Sequence, residues 1–234
     1  MKHTYSLPQI YLSIFFFTVV TFWLLSAGGN DDSPLTGNVA KTRIVVAKFI
    51  PAECKFDMEQ GFNLISIPCL TLFRNTSIDS VFENLSGSFV SIHTYDPADQ
   101  NDPWKVYAQG LPSWVTFDLS DIDAKQGYWI NVNSSGATLV ILGHLKLPST
   151  IELSKGWNLI GYPKLNSSGI NSTLSPIYPG YSVVYQYNAS DTSDPWKVFY
   201  PDPPPPAVND LNNLSPYYGY WINTTSSAQL VIQE

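Results

Sequence analysis

The chain has 234 residues, with 12 Lys and Arg against 19 Asp and Glu, a formal charge of −7 and only 13% charged residues. No cluster of basic side chains is available to meet phosphates, which argues against a nucleic-acid partner. Aromatic residues reach 14% and prolines number 18, a composition that suits pleated strands and turns.

The N-terminal stretch holds an uncharged apolar run from Ile10 to Ala27, preceded by Lys2 and His3 and followed by Asp31 and Asp32. A helix of that length rises about 27 Å, near the thickness of a bilayer's hydrocarbon core. The basic flank belongs on the cytoplasmic side, which sends the rest of the chain outside. We therefore expect residues 1–29 to be a signal peptide or signal anchor, with a transmembrane helix over about 10–27. The length of the run fits an uncleaved anchor, whereas Ser26, Ala27, Gly28 and Gly29 fit cleavage. Residues 30–42 read as a linker.

Past the linker, "KFDMEQ" (55–60) alternates apolar and polar residues with period two, as a half-buried strand does. Gly61 marks a turn into "FNLISIP", an apolar run bounded by Pro68 that fits a more fully buried strand. A helical turn is a candidate over "SIDSVFEN" (77–84). "SFVSIHTYD" then "WKVYA", separated by a turn rich in Asp and Pro, predict a hairpin with a longer loop. "GYWIN" and "TLVIL" close the unit as strands.

The same phrases then return. "TIELSKGWNLIGYP" (150–163) matches "KFDMEQGFNLISIP" (55–68) at a shift of 95, and "DPWKVF" (194–199) matches "DPWKVY" (102–107) at a shift of 92. "GYWIN" stands at 127–131 and again at 219–223. Blocks in one order, twice, predict a tandem duplication, with unit 1 over 43–144 and unit 2 over 145–234. "RIVVAKF" (43–49) resembles the closing strand "TLVILGH" (138–144), as though an earlier copy had preceded them. The proline run 202–206 excludes regular strand pairing there. The expected fold is all-β: two tandem copies of a small β-sandwich or barrel-like unit, preceded by one N-terminal hydrophobic helix.

The pattern Gly-Trp-Asn-Leu-Ile-x-x-Pro, then Tyr…Asp-Pro-Trp-x-x-aromatic, then Gly-Tyr-Trp-Ile resembles repeats of exported archaeal and bacterial cell-surface proteins, S-layer-associated or adhesin-like. It spans Gly61–Pro68, Tyr95–Tyr107 and Gly127–Ile130, and again Gly156–Pro163, Tyr187–Phe199 and Gly219–Ile222. Phe62 stands where the pattern has Trp, and the second unit has no cysteines. The resemblance implies an extracellular all-β module with no catalytic residues.

Several residues are candidates for chemistry. Trp104 and Trp129 recur as Trp196 and Trp221, and these four together with Trp157 are expected in the core, because indoles bury large areas. Trp114, Tyr217 and Tyr218 are the first places to look for an exposed ligand contact. Asp96, Asp99 and Asp102 are spaced by three, as are Asn188, Asp191 and Asp194. Oxygen ligands on a loop suit Ca²⁺, and the same residues are what turns require. Cys54 and Cys69 flank the turn near Gly61 and fit one disulfide in an oxidising compartment. Sequons occur at Asn75, Asn84, Asn133, Asn166, Asn171, Asn188, Asn213 and Asn223, which suits an exported glycoprotein with those sites on its surface.

No nucleophile motif, phosphate loop or zinc-binding helix is present. The expected function is a non-enzymatic, N-glycosylated cell-surface protein with a structural or adhesive role, anchored in or secreted across the membrane. Its expected partners are the membrane, other surface proteins and glycans, with no cofactor beyond the candidate Ca²⁺. A carbohydrate-binding module using exposed aromatics is the alternative. An exported hydrolase is a second, needing carboxylates or His93 to converge in a cleft.

Overall fold

Period-two alternation builds the first strand, β1 (Lys48–Met58), in a computed structural model that describes residues 48–70, 75–112 and 114–234. The expected N-terminal helix and linker, residues 1–42, lie outside the described residues. No helix among the described residues is long and apolar enough to cross a membrane.

β1 turns at Gly61 into β2 (Gly61–Ile65). Gly61 has φ +97°, a conformation that side chains resist, so the glycine is required. The buried Asn63 then closes the turn from within: its Oδ1 accepts from the Glu59 N–H at 2.9 Å, and its Nδ2 donates to the Glu59 carbonyl at 2.7 Å. A helical turn, α1 (Ile78–Val81), leads to β3 (Phe89–Tyr95) and β4 (Trp104–Ala108), which form the expected hairpin. β5 (Tyr128–Val132) inserts between β2 and β3, giving a four-stranded antiparallel sheet in the order β2-β5-β3-β4. β6 (Ala137–Leu147) returns to pair with β1 along eleven positions, Lys48↔Leu147 through Met58↔Ala137.

The second half follows the same path. β7 (Ser149–Leu153) turns at Gly156, φ +99°, into β8 (Gly156–Gly161), and Asn158 repeats the bonds of Asn63, here to Ser154. After a two-residue strand β9 (Ser168–Gly169) comes α2 (Ile170–Leu174), which begins 92 residues after α1 and is its counterpart, although a helical turn was expected in the first unit alone. β10 (Tyr181–Tyr187), β11 (Trp196–Phe199), the short β12 (Asn213–Leu214) and β13 (Gly219–Thr224) follow. The sheet order is β8-β13-β10-β11, and β14 (Ala228–Ile232) pairs with β7. The proline run lies between β11 and β12, in no strand.

The protein is therefore all-β, with only short helical turns among the described residues. In each half the two-stranded ribbon and the inner face of the four-stranded sheet share one apolar cluster. The first joins Met58, Leu139 and Ile141 of the ribbon to Phe89, Ile92 and Ile130 of the sheet. The second joins Ile151, Leu153 and Leu230 to Val184, Tyr220 and Ile222. No sheet among the described residues closes into a barrel, so of the two architectures expected the barrel is set aside. Cys54 of β1 is disulfide-bonded to Cys69 beyond β2, Cα–Cα 5.9 Å, which ties the ribbon to the segment leaving the sheet.

Both halves belong to one compact unit, Val45–Glu234. β2 and β8 are edge strands in their own sheets, yet their C-terminal residues are buried because the opposite half covers them. Ile65 bridges to Tyr218, and Gln126 bridges to Ile160. The Ser66 N–H donates to the Tyr217 carbonyl, and the Gly161 N–H to the Lys125 carbonyl, each at 2.8 Å. These contacts are reciprocal: the surface each half offers is the counterpart of the surface it receives, as across a two-fold axis. At its centre the chains approach too closely for side chains. A Cβ on Gly127 would stand 2.9 Å from the Ile160 carbonyl oxygen, and one on Gly219 2.9 Å from that of Ile65.

Gly127→Ala and Gly219→Ala should each destabilise the protein by about 1–3 kcal/mol, the usual cost of forcing atoms into a full interior. Gly169→Ala, which meets only the Ser172 hydroxyl at 3.3 Å, serves as the control. Thermal melting of the three variants checks this. Equal melting temperatures would mean that the junction is loose.

Candidate functional site: an aromatic face shared by the two halves

The outer face of each sheet is set by strand parity. In Tyr128-Trp129-Ile130, Tyr128 and Ile130 point into the core, so Trp129 must point out; Tyr220, Trp221 and Ile222 do the same. The expectation that the repeated tryptophans fill the core is corrected here. Trp104, Trp157 and Trp196 are 43%, 41% and 45% exposed, and Trp129 and Trp221 are half-buried. Tyrosine takes the interior instead. Tyr128 and Tyr220 are almost wholly enclosed, and each hydroxyl accepts a backbone N–H, from Asp123 at 2.7 Å and from Ser215 at 2.6 Å. Burial pushes both phenols well above their ordinary pKa.

The indoles bury their flanks against one another across the junction. Tyr95 meets Trp221 at 5.3 Å between ring centres, and Tyr187 meets Trp129 at 5.2 Å. Trp104 meets Trp221 at 5.8 Å, and Trp196 meets Trp129 at 5.9 Å. Phe62 lies against Trp129 and Trp157 against Trp221, at 6.3 and 6.2 Å. Each contact has its counterpart with the halves exchanged. Most are edge-to-face, the arrangement that ring quadrupoles favour.

Two open concavities result. One, about 500 Å³, is lined by Tyr95, Trp104, Trp157, Tyr185, Trp196 and Trp221. The other, about 530 Å³, is lined by Phe62, His93, Trp104, Trp129 and Tyr187. Trp104 lines both; Tyr187, Trp104 and Trp129 of the second correspond to Tyr95, Trp196 and Trp221 of the first, with Phe62 in place of Trp157 and His93 in place of Tyr185. No indole N–H on this face donates to another described residue, so each can serve a ligand.

Of the residues expected to contact ligand, none lines either concavity. Trp114 is 79% exposed on a loop. Tyr217 stacks on Phe56 at 5.0 Å, and Tyr218 packs against the second core. Conversely, sequence reading gave no reason to join Phe62, Tyr95, Tyr185 and Tyr187 to the tryptophans. Their signal was parity: in paired strands, residues facing one another across the register share a face.

The Asp-rich loops place their oxygens on the chain's own donors. Asp99 accepts from the N–H groups of Asn101 and Asp102 and from the Lys105 ammonium at 2.7 Å. Asp191 accepts from Ser193 and Asp194 and from the Lys197 ammonium at 3.0 Å. These bonds hold both carboxyls below the usual carboxylate range. Asp96 and Asn188 close the preceding turns through the N–H groups of Ala98 and Ser190. Asp102 and Asp194 stand 4.0 and 3.0 Å from the same two lysines. A lysine ammonium thus lies against two of the three candidate calcium ligands of each loop, and among the described residues no group of three or more His, Cys, Asp or Glu is arranged to hold a metal. Asp118 and Asp210, not singled out in the sequence, complete the arrangement by accepting from the N–H of Val106 at 2.7 Å and of Val198 at 2.6 Å.

Among the sequons, Asn75, Asn84, Asn133, Asn166, Asn171 and Asn213 are exposed, and Asn188 and Asn223 are half-buried. Compared with known proteins, the chain matches no family model, no curated protein and no solved structure.

Among the described residues, His93 is the one imidazole lining this face. Its Nε2 lies 2.9 Å from the Ser91 hydroxyl, and burial lowers its pKa. The folded protein then resists a proton that the unfolded chain accepts, so stability falls as pH drops through the ordinary histidine range and levels off below the folded pKa. His93→Tyr, which installs the counterpart residue, should flatten that part of the curve. Melting temperatures of both proteins between about pH 7 and pH 5 test it; parallel curves would leave His93 without this role.

Proposed function

We propose that the chain is an exported, non-enzymatic, glycosylated cell-surface protein of two tandem β-units, and that its adhesive contact is with carbohydrate, taken by the aromatic face. The observation that carries this reading is a large set of partly exposed rings, present in duplicate, whose indole N–H groups donate to no other described residue. Apolar patches of this kind on a monomer's surface mark binding sites. A sugar ring has an apolar face for stacking and hydroxyls that accept from Trp and Tyr, so it matches both properties of the surface.

The duplication is supported by the sheet orders β2-β5-β3-β4 and β8-β13-β10-β11, which repeat strand for strand. Export is supported by the N-terminal apolar run, the sequons and the cysteine pair. The geometry also narrows the ligand. Neighbouring rings stand at 60–90° to one another in most pairs, as in 67° for Trp104–Trp221 and 88° for Trp157–Trp221, and offer no flat platform. Such a surface favours short or soluble glycans whose rings lodge between indoles over the planar face of a crystalline polysaccharide.

In protein made without glycosylation, Trp129→Ala and Trp221→Ala should each weaken binding of soluble oligosaccharides about tenfold at the concavity that the ring lines, a loss of about 1.4 kcal/mol. Trp114→Ala should leave it unchanged. Glycan arrays followed by calorimetry provide the measurement, with melting curves to set aside any variant that unfolds. Wild-type protein that binds no glycan, or binding that depends on Trp114 instead, would overturn the reading.

A further inference from the structure

The two concavities differ in one more respect. On β13, Asn223 lies opposite Trp157 of β8 in the antiparallel register, and it follows Trp221 by two residues, so it belongs to the aromatic face. Its counterpart Asn131 lies opposite Phe62 of β2. Asn223-Thr224-Thr225 is a sequon, whereas Asn131-Val132-Asn133 is not. The side chain is also oriented for modification. The Ser182 hydroxyl donates to the Asn223 Oδ1 at 3.3 Å, and no hydrogen bond among the described residues engages Nδ2, the atom a glycan would join.

We propose that Asn223 carries a glycan that lies across Trp157 and fills the concavity of the second half, leaving that of the first half open to outside ligands. This rests on the reading of the face as a sugar binder. Directly opposed residues have Cβ atoms about 5 Å apart, so the first sugars on Asn223 reach the Trp157 ring without any change of backbone. A short flexible tether holds its ligand at an effective concentration on the order of millimolar, which lets even a weak stacking contact compete with free glycan. The chain's own sugar is thus a built-in occupant of one of two corresponding sites. The open site is then the one with the smaller Phe62 ring and the imidazole of His93.

The experiment uses the full chain exported from a glycosylating host, beside Thr225→Ala, which removes the sequon and leaves Asn223 and every ring in place. Peptide mass spectrometry reads glycan at Asn223. Oxidation of Trp157 by N-bromosuccinimide reads its exposure, and oligosaccharide titration reads stoichiometry. We expect occupancy in the wild type, severalfold faster oxidation of Trp157 in Thr225→Ala, and a rise from one bound oligosaccharide to two. A second variant, Asn133→Thr, creates the sequon at Asn131 and should close the remaining site. An unmodified Asn223 overturns the proposal, as does an occupied Asn223 whose removal changes neither Trp157 oxidation nor stoichiometry. Loss of Trp157 protection with no oligosaccharide bound by any form would uphold the shielding and sink the binding function alone.

Discussion

The structure depends on one close approach of backbone to backbone. Where Gly127 faces the Ile160 carbonyl and Gly219 faces that of Ile65, no Cβ fits, and the halves come close enough for β2 and β8 to lose their free edges. An uncovered edge invites pairing with other chains, so the junction satisfies the backbone and blocks aggregation at once. Two sheets that could otherwise hang as separate beads become one body, and their outer faces become continuous.

That continuity explains the aromatic surface. A lone exposed indole is costly to hydrate, but here each ring covers the flank of another, and edge-to-face pairs contribute about 0.5–1.5 kcal/mol beyond their buried area. Trp129 is enclosed by Phe62, Tyr187 and Trp196, two of them from the opposite half. The concavities exist only because both halves contribute to each. Core packing is left to aliphatic residues, to phenylalanines such as Phe82, Phe89 and Phe199, and to tyrosines whose hydroxyls reach backbone donors, as Tyr128 and Tyr220 do.

The loops show the same economy of means. Each hairpin turn gathers carboxylates by ordinary turn chemistry, then neutralises them with a lysine from the strand that follows, Lys105 in one half and Lys197 in the other. The repeated "DPWK" phrase is thereby accounted for in two parts. Its Asp and Lys fix the turn, and its Trp joins the outer face.

Much of the strand order was legible in the sequence because period-two alternation and turn residues are local properties. Gly61 and Gly156, the hairpins before Trp104 and Trp196, and the closing strands fall where the residues place them. α2 was legible only through the repeat: "INSTL" carries no helical periodicity, but it begins 92 residues beyond α1, where the duplication puts a second helical turn. The side of the sheet on which each indole lies could have been read from parity against Tyr128 and Ile130, but large aromatic area argued for the interior and outweighed it.

By itself the sequence determined the all-β class, the boundaries of most strands and the repetition of residues in matching order, since each follows from neighbours along the chain. Only the tertiary structure decided that the halves meet through reciprocal edges, and that rings as distant along the chain as Tyr95 and Trp221 form one surface. The reason is physical: alternation fixes which residues share a face, but which faces meet is chosen by contacts between distant segments, and no local pattern encodes them.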